Sequence, residues 1–421
     1  MKKATLIKFA ALLLLISLIG AKNVSAQVKI LFDATKAESA GNADWVIDAD
    51  QHNLYWTNTG TATTTGNEAN AQRIPTPAQS GITSSTPETY WLGGLSAWGV
   101  DMVKKGYTVE TLPYGVPITY NNSSNVQDLK NYKVFVVCEP NISFTAAEKT
   151  AIVQFVQNGG GLFMISDHTI SDRNNDGVDS PMAWNDLLTN NTVQNNPFGI
   201  SFDLVDVSGT YSVLAALPAS DTLLHGPMGN VTQVMWSNGT TMTLNTTANP
   251  TVRGIVYKTG ASNTGTTNVV VARAKYGAGR VVAFGDSSPF DDGTGDTGDQ
   301  LYTGFTVDAN GNHERLIVNS TIWLASGVVY TGIESTDISH NTQIYPNPFS
   351  SSAQLVIDPF VDMTQGRLDI YDMNGRLVNK IATGEEHNIS IEKGNLSKGM
   401  YFYTLSNDDS PVDKGKFVIA D

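Results

Sequence analysis

Residues 131–168 read NYKVFVVCEPNISFTAAEKTAIVQFVQNGGGLFMISDH, and this stretch decides the fold class. Val134 to Val137 is apolar without alternation, as in a strand buried on both faces of a parallel sheet. Thr145 then opens a helix, with Glu148 three residues on as in a capping box. Ile152, Val153, Phe155 and Val156 supply its apolar face. Gly159-Gly160-Gly161 ends the helix, and LFMIS (162–166) reads as the next strand. A strand, a helix and a second buried strand in succession predict an α/β domain: a largely parallel sheet flanked by helices.

The pattern extends in both directions. Upstream, VKILFDA (28–34) is a short strand reaching Asp33. A helix is expected from Leu95 to Val103, stopped by Gly106, with YTVETL (107–112) as a strand. Downstream, residues 196–280 turn rich in Thr, Asn and Gly, with β-prone runs such as TNVVVARAKYG. GAGRVVAFGDSS (277–288) is a turn, a strand and an acidic loop. ERLIVNSTIWLASG (314–327) closes the domain as an amphipathic helix, with Gly327 as its C-cap. The domain is therefore placed at 27–327, a polar linker at 328–343, and a small β-sandwich of alternating strands at 344–421. The MNG turn (373–375) between RLDIYD and RLVNKI is a hairpin signal.

Residues 1–26 read as a secretory signal peptide. Lys2, Lys3 and Lys8 precede an apolar run too short to span a bilayer, and Val24-Ser25-Ala26 fits the cleavage rule. The chain has 26 basic and 40 acidic residues. Removing the four lysines of the leader leaves 22 against 40, a net charge of −18. That balance excludes nucleic acid as a partner and suits divalent cations. Cys138 is the only cysteine, so no internal disulfide forms, and its place after an apolar run marks it as a buried, inert thiol.

Four of the predicted parallel strands end in acids: Asp33, Glu139, Asp167 followed by His168, and Asp286. Ligands of open α/β sheets bind beyond the carboxyl ends of the strands. These five residues are the candidate catalytic group. The carboxylates would hold a catalytic divalent metal, or orient His168 as a general base. The competing reading is that each Asp merely caps the next helix or turn. His52 and His225 are weaker candidates, better read as surface or packing residues.

DRNNDGVD (172–179) opens like a calcium loop, D-x-N-x-D-G. Asp172, Asn174, Asp176 and Asp179 would ligate through side chains and Val178 through its carbonyl, with Ca²⁺ the expected ion. The twelfth position is Ala183, so the loop is not an EF-hand; a solvated acidic turn is the alternative. The acidic stretches 290–300 and 308–314 are looser candidates of the same kind.

IYPNPF (344–349), LDIYDMNGRLV (368–378), GNLSKGMYFYTL (394–405) and KGKFVI (414–419) together resemble the type A C-terminal sorting domain of the type IX secretion system. The resemblance implies export through the periplasm and outer membrane. It also implies recognition by the type IX machinery, then release or surface attachment with loss of the tail. YKVFVVCEPN, AAEKTAIVQFVQNGGGLFMISDH and GAGRVVAFGDSSPF resemble secreted proteins with the class I glutamine-amidotransferase-like fold, a group that includes ThuA-like proteins. In amidotransferases a cysteine nucleophile follows the strand that here reads LFMIS. This chain has Ser166-Asp167-His168 there, which speaks against glutamine amidotransfer.

Two functions fit these readings. One is a secreted hydrolase acting on an extracellular polymer or its fragments. The other is a non-catalytic protein that binds carbohydrate or another small ligand. Trp45, Trp56, Trp91, Trp98 and Tyr90 bear on the second, because exposed aromatics stack on sugars, although most are expected in the core.

Overall fold

The computed structural model describes residues 28–47, 55–56, 62–63, 72–209, 212–218, 221–295, 300–302, 304–307, 311–326, 342–357, 361, 363–373, 375–407 and 410–420. The signal peptide, His52, Gly327 and most of the expected linker lie outside these residues. The body contains β1 (Lys29–Asp33), α1 (Ser96–Lys104), β2 (Thr108–Leu112), β3 (Val134–Cys138), α2 (Ala146–Gln157), β4 (Gly161–Ile165) and α3 (Ser180–Thr189). There follow β5 (Ile200–Phe202), β6 (Met242–Leu244), β7 (Arg253–Tyr257), β8 (Val269–Tyr276), β9 (Gly279–Phe284) and α4 (His313–Ala325).

The main sheet runs β2-β1-β3-β4-β9-β8-β6-β5, with β7 also against β8. The first five of these strands are parallel. From β9 onward every pairing is antiparallel. The sheet is thus mixed, and the antiparallel part comes from the Thr/Asn/Gly-rich middle of the chain.

Strand residues alternate between two buried layers. Phe32 and Phe163 face one core with Trp98, Phe290, Leu316 and Trp323. Leu31 and Leu162 face the other with Phe135, Ile152, Phe155 and Trp184. Helices α1 and α4 therefore cover one face, and α2 and α3 the other. Trp98 lies edge-on to Phe32 at 5.0 Å and to Phe163 at 5.1 Å, while its indole N–H donates to Thr321 Oγ1. Trp45, Trp91 and Trp98 are all core residues, so none of them offers a face to a ligand. Tyr90 is half-buried.

The Thr145–Glu148 capping box forms as the sequence predicts. Gly159 follows α2 at φ +105°, a conformation that favours glycine. Helix α1 lacks a local side-chain cap; Asp292, distant in sequence, accepts the Ala97 N–H instead.

The tail forms two antiparallel sheets. One holds β10 (Thr342–Tyr345), β11 (Ser352–Ile357) and β14 (Asn388–Glu392). The other holds β12 (Gly366–Tyr371), β13 (Leu377–Gly384), β15 (Gly399–Asn407) and β16 (Ser410–Ile419). Phe349, Leu355, Ile370, Leu405 and Phe417 pack in its core. Strand β10 begins at Thr342, so the last two residues of the expected linker belong to the sandwich. Among the described residues no helix is long and apolar enough to cross a membrane.

Candidate functional site

Because β1, β3, β4 and β9 are parallel, their carboxyl ends share one edge of the sheet. The acids expected there divide into two groups. Glu139, Asp167 and Asp286 converge. Asp33 turns instead toward Lys36 and Glu38.

Glu139 follows β3 in the left-handed region, at φ +50°. Such a backbone costs about 1–3 kcal/mol in a residue with a side chain and persists only when its surroundings fix it. Here they do. Its N–H donates to the Ile165 carbonyl, and its carboxylate is fully buried. Glu139 Oε1 accepts from Arg173 Nε at 2.6 Å and from Ser171 Oγ at 2.8 Å; Oε2 accepts from Ser287 Oγ at 2.8 Å. The strained position of the edge is thus Glu139, and none of Ser166, Asp167 and His168 has a positive φ.

Asp167 Oδ2 lies 2.8 Å from Ser171 Oγ and 3.4 Å from Arg173 Nη2. Ser171 has one hydroxyl proton for two carboxylates. Burial pushes the Asp167 carboxyl well above its usual range, and the nearby Glu139 and Asp286 charges push it further. A protonated Asp167 donating to Ser171, which donates to Glu139, satisfies all three groups. Arg173 also donates to Asn42 Oδ1, and the Glu139 charge holds its guanidinium more firmly protonated than usual. Asp286 accepts from the backbone N–H groups of Ser237 (2.6 Å) and Ser288 (2.9 Å). Burial raises its pKa to about 7.

His168 sits at the rim, partly exposed. Its Nδ1 is 2.6 Å from the Thr169 carbonyl, so Nδ1 is a donor there. Nε2 is 3.7 Å from Asp167 Oδ2, beyond hydrogen-bond length.

Asp33 accepts the Thr35 N–H through Oδ1, and burial pushes it to about 6 against the pull of Lys36. Glu38 accepts the Lys36 N–H; burial and the Asp33 charge raise it well above its usual range. The Lys36 ammonium bonds both oxygens of Glu148. This second group is tied to the cap of α2, not to the Glu139 cluster. Burial raises the Cys138 thiol well above its usual pKa, as expected of an inert core cysteine.

The loop at 172–179 is closed by its own acids. Asp172 accepts the N–H groups of Asp176 and Gly177, and Asp176 accepts that of Val178. Asp179 faces elsewhere. It is the N-cap of α3, accepting the Met182 N–H through Oδ1 and Thr169 Oγ1 and Ile170 N–H through Oδ2. Among the described residues no three His, Cys, Asp or Glu side chains converge as a metal-binding group. In the 290–302 stretch Asp291 and Asp292 accept backbone N–H groups of Tyr302, Gly293, Thr294 and Ala97, so they tie that loop to the body. His225 meets Asn230 within a short hairpin.

Beside the cluster lies a cavity of about 320 Å³, lined by Met235, Ser237, Ser288, Pro289, Leu301, Tyr302, Gly304 and His313. Asp286 connects the two features, since the residues whose N–H groups it accepts, Ser237 and Ser288, are cavity walls. Tyr302 is close enough to feel the charges of Arg173, Asp167, Asp286 and Glu139, although burial is the larger influence raising its phenol pKa. His313 Nδ1 donates to the Gly304 carbonyl and Nε2 accepts the Met235 N–H, which fixes a neutral tautomer. Sequence reasoning missed Arg173, Ser171, Tyr302 and His313. For Arg173 a signal existed: it is the sole lysine or arginine among four acids in residues 159–181.

Comparison with known proteins identifies the tail. Residues 343–420 match the family described as "Secretion system C-terminal sorting domain". The protein is therefore sorted by the type IX system to the cell surface or the medium. No curated protein matches the chain in sequence. Solved structures similar to it include the following three. The N-terminal domain of mmIFT52 has 11% identity and TM-score 0.39, over 73% of this chain and 99% of that one. A ThuA-like protein from Parabacteroides merdae has 12% identity and TM-score 0.33, over 73% and 94%. A DUF3244 family protein with an immunoglobulin-like β-sandwich fold, from Bacteroides vulgatus, has 15% identity and TM-score 0.17, over 19% and 86%.

Proposed function

We propose that the body is an extracellular binding module whose cavity takes a small hydroxyl-rich ligand, such as a saccharide unit, without chemical turnover. The observation that carries this reading is the position of Arg173. Its guanidinium lies between Glu139 and Asp167, where a divalent cation held by those two acids would lie. Ser171 and Ser287 take up further lone pairs of Glu139. Carboxylates so occupied neither hold a metal nor draw a proton from water. The open feature is the cavity. Its volume is at the small end of the ~300–1,000 Å³ typical of ligand sites. Ser237, Ser288 and the Tyr302 hydroxyl supply hydrogen-bonding groups, and Met235, Pro289 and Leu301 supply apolar wall. A tyrosine ring offers an apolar face for stacking and a polar tip for bonding.

A hydrolase is the second reading, favoured by one observation: His168 is partly exposed, with its Nε2 3.7 Å from Asp167 Oδ2. One experiment separates the two. The mature protein is tested for retention on a glycan array and for turnover of glycans, esters, peptides and phosphoesters. Retention without turnover is expected, weakened about tenfold or more by Tyr302→Ala, equal to ~1.4 kcal/mol, and unaffected by His168→Ala. Turnover that His168→Ala reduces by the ~10²–10⁴-fold of general acid–base loss would replace binding with hydrolysis.

A further inference from the structure

We infer that the loop from Asp172 to Val178 is a calcium site, formed by side-chain oxygens of Asp172, Asn174 and Asp176 and the Val178 carbonyl. The inference does not depend on the reading of the cavity. The acids alone would not carry it. The independent observation is Asn174, which is fully buried and whose Oδ1 has no hydrogen-bond partner. Its amide head lies against the loop: Nδ2 is 3.1 Å from Asp176 Oδ2. A buried amide oxygen left unpaired is destabilising, and a cation beside it removes the penalty. With the amide turned over, its oxygen and the Asp176 carboxylate would be two facing acceptors, which a cation between them would stabilise.

Charge points the same way. The guanidinium of neighbouring Arg173 is committed to Glu139 and Asp167. Asp172 and Asp176 have no ion-pair partner among the described residues. Asn175 at φ +58° and Gly177 at φ +90° allow the tight path that brings alternate side chains together. Calcium takes six to eight oxygens, and the exposure of Asp176 and Gly177 leaves room for water to complete the shell. Asp179 is not a ligand: it is the N-cap of α3, and its partners Met182, Thr169 and Ile170 lie outside the loop, whereas Asp172 and Asp176 accept from groups of the loop itself. Since Asp172 and Asn174 flank Arg173 in the chain, a bound ion also steadies the segment that delivers the guanidinium.

The test uses the mature full-length protein, stripped with EGTA and titrated with calcium chloride alone. Melting is followed up to roughly 10 mM, above the ~10⁻⁴–10⁻³ M dissociation constants of extracellular calcium modules. A calcium-dependent rise in melting temperature and calorimetric binding are expected. Asp176→Asn keeps the acceptor for the Val178 N–H but removes a charge; it should abolish the rise while melting like the wild type in EGTA. Asn174→Asp adds a carboxylate and should bind more tightly. A wild type that shows neither heat nor stabilisation overturns the inference. So does an Asp176→Asn protein with the full response, or an Asn174→Asp protein with no gain in affinity.

Discussion

Arg173→Met is expected to lower the stability of the body by about 3–5 kcal/mol near neutral pH, the usual consequence of removing one partner from a buried ion pair. Methionine keeps the aliphatic stem of the arginine and removes the guanidinium, so lost stem packing is a minor part of the effect. What remains is Glu139, fully buried, beside a nearly buried Asp167. Without the guanidinium, a buried Glu139 beside Asp167 does not stay ionised, so the variant takes up a proton on folding. Folded-state pKa values raised above the unfolded ones give stability that is present at low pH and lost as pH rises. The wild type already shows this in milder form. Asp33 and Asp286 have pKa values of about 6 and about 7 against 3.8 when unperturbed, so their contribution declines between about pH 4 and pH 7. Arg173→Met should therefore regain more stability than the wild type between about pH 7.5 and about pH 5, measured as urea midpoints. Arg173→Lys keeps the charge without the planar fork and should fall between the two. A loss below ~1 kcal/mol would place Arg173 among exposed surface pairs and remove the argument that it takes the place of a metal.

The second large effect concerns the tail. Deletion of residues 342–421 should reduce the secreted fraction to background and leave the body in the periplasm, because the sorting domain lies in that segment. The body should still fold. Its two main hydrophobic clusters contain no tail residue, and the tail has a cluster of its own. Independent cores are the mark of separable domains. Fractionation of cells, together with the melting curve of the truncated protein, checks both statements. Normal secretion of the truncated chain would contradict the role of the tail, and an unfolded body would contradict the separation of the cores.

The parts of the fold written in local patterns were legible in the sequence. The Thr145–Glu148 box, the run from Val134 to Val137 and the acids following parallel strands all came from short-range signals, and the sheet places them as expected. The β-sandwich was legible through the alternation in its strands. The antiparallel half of the main sheet was less so, because three-residue strands such as Ile200–Phe202 carry almost no periodicity. At the site, the sequence indicated which edge carried the acids but not how their charges are neutralised. Arg173 reaches Glu139 across 34 residues of chain, a contact that only the tertiary fold creates. Asp33 left the group because Lys36 and Glu38, in the turn just after its strand, form a nearer set of partners. Asp179 looked like a ligand from its spacing, yet an Asp preceding Ser-Pro at a helix start is also a good N-cap, and capping prevailed. Tyr302 and His313 belong to no motif; they meet in the cavity wall only through the tertiary fold, with the Tyr302 N–H held by Asp291.

The most direct measurement of the central claim is amide hydrogen exchange of the mature protein with and without a saccharide retained in the array experiment. Binding in the cavity predicts slower exchange in the segments around Ser237, Ser288 and Tyr302, with the amides of Ser237 and Ser288, already held by Asp286, slowed most. Protection centred on residues 168–179 instead, or on the tail, would contradict a ligand site in this cavity.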